Sequence, residues 1–111
     1  MVKNRKPLLG KKKVIDKDVH SLALQRIEKA FDLMDSIIVM FSGGKDSTAC
    51  LNLVLEEAKK RKVKTIEAHF FDEEAIPYET EDYVRRVSKL PAVDLKWWCL
   101  PVRHRNACSA T

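Results

Sequence analysis

The feature that most constrains this chain is a short apolar run, Ile37-Ile38-Val39-Met40-Phe41, that passes directly into Ser42-Gly43-Gly44-Lys45-Asp46-Ser47. The run does not alternate, and it is too short and too β-branched for a helix. It reads as a strand buried on both faces. Two adjacent glycines then let the backbone turn sharply with φ > 0 and leave the N–H groups open to close approach. The residues that follow have helical spacing, so the loop opens a helix. A helix N-terminus carries partial positive charge and unpaired N–H donors, which suits a phosphate. Lys45 adds a full charge, and Ser42 and Ser47 can donate hydroxyl hydrogen bonds. Asp46 repels an anion, so it reads first as an N-cap or a brace for Lys45, and alternatively as a Mg²⁺ ligand. The spacing is neither that of a Walker A loop nor of a GxGxxG turn. Two glycines alone would make an ordinary turn. The whole string between a buried strand and an amphipathic helix points to phosphate binding.

The flanking segments set the loop in a larger pattern. From Asp18, apolar residues fall at Val19, Leu22, Ile27, Ala30, Phe31 and Met34, a helical spacing with Asp16 or Asp18 as N-cap. A second helix is expected over 47–62, with Cys50, Leu53, Val54 and Ala58 on one face. Residues 65–71 read as a strand with Ile66, Ala68 and Phe70 on one side, and 72–77 as a loop. A third helix is expected over 80–90, with Thr80 as its cap, Tyr83, Val84, Val87 and Leu90 inward, and Pro91 as its stop. Val93, Leu95 and Trp97 alternate as a third strand, and residues from Cys99 onward read as loop. The order α-β-α-β-α-β implies an α/β fold of three layers, a parallel sheet with helices on both faces. Ligands of such sheets sit at the carboxyl ends of the strands. The glycine loop, Asp72 and the Cys99 region all fall there.

Composition narrows the function classes. The chain has 111 residues, 45% hydrophobic and 33% charged, which fits one soluble globular domain. Residues 1–16 read as a flexible basic arm and 17–111 as the domain. No apolar run approaches the ~18 residues of a membrane span. The basic N-terminus has no apolar stretch behind it, so no signal peptide is expected. Three cysteines, Cys50, Cys99 and Cys108, form an odd set with no disulfide-scaffold spacing, so a reducing, cytoplasmic setting is expected. The net charge is +5, concentrated in Lys3, Arg5, Lys6 and Lys11–Lys13 and again in Lys59–Lys62 and Lys64. Such clusters suit phosphorylated ligands or nucleic acid, the arm being the candidate contact, or else a solvated tail and the cationic end of a helix. Cys99, His104 and Cys108 match no standard zinc spacing.

The string SGGKDS resembles the PP-loop of the ATP pyrophosphatase and phosphoadenosine-phosphosulfate (PAPS) reductase superfamily. The resemblance extends through VHSLALQRIEKAFDLMDSIIVMFSGGKDSTACLNLVLEEAKKR, FFDEEAIPYETEDYVRRV and WWCLPVRHRNACS, about residues 11–109. These are similar to PAPS-reductase-like proteins of phages and mobile elements. The resemblance implies a Rossmann-like fold of the adenine nucleotide alpha hydrolase-like type. It implies an adenine nucleotide ligand, PAPS or ATP, with Ser42, Gly43, Gly44, Lys45, Asp46 and Ser47 around the phosphate. Phe41 and Phe70 or Phe71 would lie against adenine, or else pack in the core. Asp72, of the acidic run Asp72-Glu73-Glu74, would stand near the nucleotide or its metal, or in a solvated turn. Arg103 and Arg105, with forks suited to phosphate and sulfate oxygens, are candidate substrate contacts, with His104, Asn106 and Ser109 nearby.

The chain also departs from that family. A PAPS reductase carries its nucleophilic cysteine in a motif near the C-terminus, recycled by thioredoxin, and that motif is not found here. Full family members continue with more strands, so the fold is expected to be a shortened one: a short form, a fragment, or a minimal domain that self-associates. The leading expectation is adenine-nucleotide binding with PAPS reductase-like or sulfotransferase-like activity, drawing on a thioredoxin-type reductant. The alternatives are ATP-dependent adenylation with Mg²⁺ and pyrophosphate release, and a non-catalytic nucleotide-sensing regulator that binds nucleic acid or protein.

Overall fold

The computed structural model describes residues 14–99 and 101. Asp18 opens helix α1, Val19–Leu33. Its carboxylate accepts the Ser21 N–H at 2.6 Å, so of the two candidate caps Asp18 is the one used. Strand β1 (Ile38–Met40), helix α2 (Lys45–Lys60), strand β2 (Ile66–Asp72), helix α3 (Tyr78–Ser88) and strand β3 (Val93–Cys99) follow. All six expected elements are present in the expected order, and the three strands pair in parallel as β1-β2-β3. No described helix is long and apolar enough to cross a membrane.

The strand order explains where the helices go. A right-handed crossover places its helix on a face fixed by the direction in which the next strand is added. Here both crossovers step the same way, from β1 to β2 and from β2 to β3. Helices α2 and α3 therefore fall on one face, and helices on both faces would need a reversal of strand order. The buried core agrees. Val39, Phe41, Ile66, Ala68, Phe70 and Val93 project from one side of the sheet. They meet Leu51, Val54 and Ala58 of α2 and Val84 and Val87 of α3. The other side bears Ile38, Met40, Phe71 and Trp98, each more than 40% exposed. The described residues thus form a two-layer α/β unit, not the expected three layers. For the same reason β1 is buried on one face only.

Helix phases differ from expectation in instructive ways. The inward stripe of α2 is Leu51, Val54 and Ala58, with Leu53 half-buried and Cys50 exposed. The apolar sites of α2 serve two neighbours, and Cys50 and Leu53 turn toward α1. On α3, Val84 and Val87 are buried and Tyr83 packs beside them, but Leu90 lies beyond the helix end and is exposed. Helix α1 buries no residue fully. It leans Ile27 and Phe31 on the core while Val19 and Met34 stay exposed. What fastens it to α2 is Arg61. The guanidinium donates to Glu57 Oε1 at 2.7 Å and to the Glu28 carbonyl at 3.2 Å. It also pairs with Asp32 at 2.8 Å and lies over the Phe31 ring. These partners, Glu57 first and Asp32 next, hold its pKa above the ordinary value. Glu57 is buried, a site that a carboxylate tolerates only when paired.

Candidate functional site

The site grows from the carboxyl end of β1. The strand proper ends at Met40, though the Phe41 N–H still donates to the His69 carbonyl at 2.8 Å. Helix α2 begins at Lys45, two residues earlier than the spacing suggested. Gly44 is its N-cap, and the Gly44 carbonyl accepts the Thr48 N–H at 3.0 Å. Asp46 is therefore not the cap. It sits in the first turn, where its charge favours the helix dipole. No hydrogen bond or ion pair joins it to Lys45 among the described residues. Asp46 lines an apolar groove between α1 and α2 together with Arg26, Ala49 and Leu53.

The two glycines have different jobs. Gly43 has φ +80, a region that favours glycine, and a Cβ there would come 3.0 Å from Val84 Cγ2 and 3.1 Å from Thr80 Cγ2. Gly43 is what lets α3 close against the loop. Gly44 has an ordinary φ of −82, and a Cβ there would meet only Ser42 Oγ, at 3.4 Å. The space outside Gly44 is open.

A ring of hydrogen bonds fixes the loop. The Gly44 N–H donates to Ser42 Oγ at 3.3 Å, Ser42 and Ser47 hydroxyls lie 2.9 Å apart, and Ser47 donates to the Gly44 carbonyl at 3.2 Å. Ser47 Oγ also accepts the Ser42 N–H at 3.2 Å. The hydroxyls thus shape the loop itself. The N–H groups of Lys45, Asp46 and Ser47, at the start of α2, find no acceptor among the described residues. Three aligned donors, an exposed Lys45 and open space at Gly44 together suit an anion.

Around the loop, β2 and β3 end at the same edge, with Asp72 in register with Cys99. Asp72 is engaged on both oxygens. One accepts the Glu74 N–H at 2.9 Å and the other the Trp97 indole N–H at 3.0 Å. The bond from Glu74 turns the chain after β2, where Glu74 has φ 67. Phe41 is buried against Tyr83 at 6.1 Å between ring centroids, and Phe70 is buried against Trp97 at 4.8 Å. Their side chains belong to the core. Phe71 is exposed and shares a shallow cavity of about 180 Å³ with Met40, Ser42 and Glu73. Cys99 is exposed at the end of β3. Thr80 does not cap α3; Pro77 does, its carbonyl accepting the Thr80 and Glu81 N–H groups. The first position of the helix is Tyr78, largely exposed.

Some residues of the site were not legible as such. Thr48 donates to the Gly44 carbonyl at 2.7 Å and receives the Tyr83 hydroxyl at 3.2 Å, linking α2 to α3 behind the loop. Its position, one helical turn past Gly44, was the available signal. Thr80 and Val84 wall the loop, and only their packing on Gly43 reveals it. The candidate contacts Arg103, His104, Arg105, Asn106 and Ser109, together with Cys108 and the basic arm through Lys13, lie outside the described residues. Among the described residues no group of three or more His, Cys, Asp or Glu converges on one point. Comparison with protein-family models, with curated proteins and with solved structures finds no match.

Proposed function

We propose that the loop 42–47 holds the phosphate, or phosphosulfate, of an adenine nucleotide, and that the chain is a PP-loop protein of the PAPS reductase-like kind. The observation that carries the reading is the set of three N–H groups at Lys45, Asp46 and Ser47 that have no partner among the described residues, presented beside the open side of Gly44. The location supports it, since the loop follows the first strand of a parallel sheet at the strands' carboxyl ends. The Rossmann-like type is part of the same proposal and rests on this loop and on the resemblance of the flanking segments. Phe71 and the shallow cavity beside Ser42 offer the base an apolar surface. A magnesium ion, if ATP is the ligand, would be held chiefly by the phosphates, with Asp46 the carboxylate in the loop.

In the reductase-like reading, a thiolate attacks the sulfur of PAPS. An S–S bond forms, the bond from sulfur to the phosphate oxygen breaks, and the bisphosphate nucleotide leaves. A dithiol then reduces the cysteine–sulfonate and frees sulfite. Cys99 is the exposed thiol at the right edge for that role. In the adenylating alternative, the same loop would hold the departing pyrophosphate of ATP.

The test is a thermal-shift screen of the full chain against ATP, AMP, PAPS and its bisphosphate product. A ligand at about a hundred times its Kd adds roughly 2.7 kcal/mol of stability. Gly44→Ser keeps a good N-cap but fills the open side, so the protein should fold normally and lose the shift. Lys45→Ala should weaken the shift without lowering the unliganded melting temperature, since Lys45 has no ion-pair partner among the described residues. Absence of stabilisation by every adenine nucleotide refutes the reading. Sulfite release from PAPS with a dithiol, lost in Cys99→Ser, separates reduction from pyrophosphate release.

A further inference from the structure

The sheet face that no element covers among the described residues is patterned in rows. Register places Ile38, Glu67 and Asp94 in one row across the three strands, and Met40, His69 and Lys96 in the next. One row carries two carboxylates and the adjacent row two nitrogen bases. Within the chain these already attract along each strand, His69 to Glu67 at 2.6 Å and Lys96 to Asp94 at 3.2 Å. The row above holds Phe71 and Trp98, both exposed. The row below, by the same register, holds Ser36, Thr65 and Ala92, all small and exposed.

This arrangement complements itself. Consider a two-fold axis lying across the strands, midway between the acidic and basic rows. It sets a second copy face to face with strands antiparallel. Glu67 then faces the other copy's His69, Asp94 faces its Lys96, and Ile38 faces its Met40. The bulky Phe71 and Trp98 settle over the small Thr65 and Ala92. Opposite charge on β3, donor against acceptor on β2 (where His69 Nδ1 also accepts the Trp98 indole N–H at 3.3 Å), apolar against apolar on β1 and large against small at the outer rows match under one symmetry operation, as an isologous interface requires. We infer that this face is a weak homodimer interface, two sheets stacked in a sandwich with helices outside.

The size of the face marks it as a weak interface. Three strands at about 4.8 Å spacing and seven residues at about 3.3 Å give a footprint on the order of 300 Å². Stable interfaces bury about 800 Å² per partner, so association through this face should be weak. This inference does not depend on the nucleotide reading, but a base bound on Phe71 and the second copy would compete for that side chain.

Sedimentation equilibrium of the full chain from about 10 µM to about 1 mM tests it, and the expected result is a mass that rises toward twice the monomer's. Lys96→Asp sets carboxylate against carboxylate twice in the dimer and should weaken it about tenfold or more. The swap Asp94→Lys/Lys96→Asp restores opposite charges and should recover affinity to within about threefold of the native chain. Trp98→Ser should weaken association while leaving the fold intact, as judged by a cooperative melt at low concentration. A chain that stays monomeric to about 1 mM overturns the inference. So does a dimer indifferent to Lys96→Asp and Trp98→Ser, which would signal pairing along a strand edge. A swap no better than the single change also overturns it. If Trp98→Ser alters only capture of an added oligonucleotide or foreign protein, the face has another occupant and the inference fails.

Discussion

Replacing Gly43 by alanine should cost far more stability than a surface loop change ordinarily does. Two costs are independent. Alanine at φ +80 enters left-handed backbone, at about 1–2 kcal/mol. Its Cβ also lands 3.0 Å from Val84 Cγ2 and 3.1 Å from Thr80 Cγ2. Val84 is fully buried and cannot step aside, so α3 must shift. Overpacking of that kind costs about 1–3 kcal/mol. The sum is about 2–5 kcal/mol, against a total stability of about 5–15 kcal/mol for a domain of this length. The melting temperature should fall by on the order of 10–25 °C, read by circular dichroism or calorimetry. A fall of less than about 3 °C would refute the reasoning. The clash has its own check in a double-mutant cycle. Val84→Ala creates a cavity alone, but beside Gly43→Ala it also makes room, so the two losses should sum to less than their separate values by about 1 kcal/mol. Strict additivity would leave backbone strain as the sole cause.

Two further outcomes follow from helix ends. Helix α2 ends in a Schellman turn, with Val63 N–H to the Ala58 carbonyl at 2.8 Å and Lys62 N–H to the Lys59 carbonyl at 3.2 Å, yet the left-handed residue is Lys62 at φ 59. Lys62→Gly should raise stability by about 0.5–1 kcal/mol as a higher urea midpoint with unchanged slope; a lower midpoint counts against the turn. At the other end of the chain, the Ser21 N–H holds the Asp18 carboxyl below its ordinary value of 3.8. The folded pKa is the lower one, so this group adds stability above its unfolded pKa and loses it as pH falls through the folded value. Asp18→Asn caps without titrating. It should flatten the decline of the melting temperature between about pH 5 and pH 2, and an unchanged decline would deny Asp18 that role.

The sequence was informative wherever one residue's neighbours in the chain decide its state. Asp18 caps α1, Ile66, Ala68 and Phe70 share the buried face of β2, and the glycine pair joins β1 to α2, because each depends on local geometry and period. It was least informative where a third element decides. Cys50 and Leu53 look like core on α2 alone, and only the position of α1 turns them outward. The layer count failed for the same reason. Alternation of strands and helices specifies parallel pairing, but the face a helix takes depends on strand order, which no local pattern carries. At the site, Ser42 and Ser47 were readable as loop residues, but their bonding to each other was not. Asp72 was readable as an acid at the right edge, yet the Trp97 indole that occupies it comes from β3, 25 residues away.

These bonds bear on how the loop would work. The Gly44 carbonyl receives the Thr48 N–H and hydroxyl as well as the Ser47 hydroxyl. Ser47 can therefore turn its proton toward an incoming oxyanion without leaving that carbonyl unpaired, whereas Ser42 is held by both Gly44 and Ser47. Within one ring of bonds Ser42 is the fixed member and Ser47 the exchangeable one. The fixed part is backed in turn by Gly43 on Val84 and by Tyr83 on Thr48, so α3 braces the loop from behind. A loop braced on two sides is shaped before its ligand arrives, and little binding energy goes into ordering it. Such a loop would recognise a tetrahedral anion but not what the anion is attached to. Asp72 would add little to that discrimination, since one of its oxygens serves the turn after β2 and the other holds the Trp97 indole. Selectivity at this edge would therefore fall to Cys99 at the end of β3 and, in the monomer, to Phe71 beside Ser42.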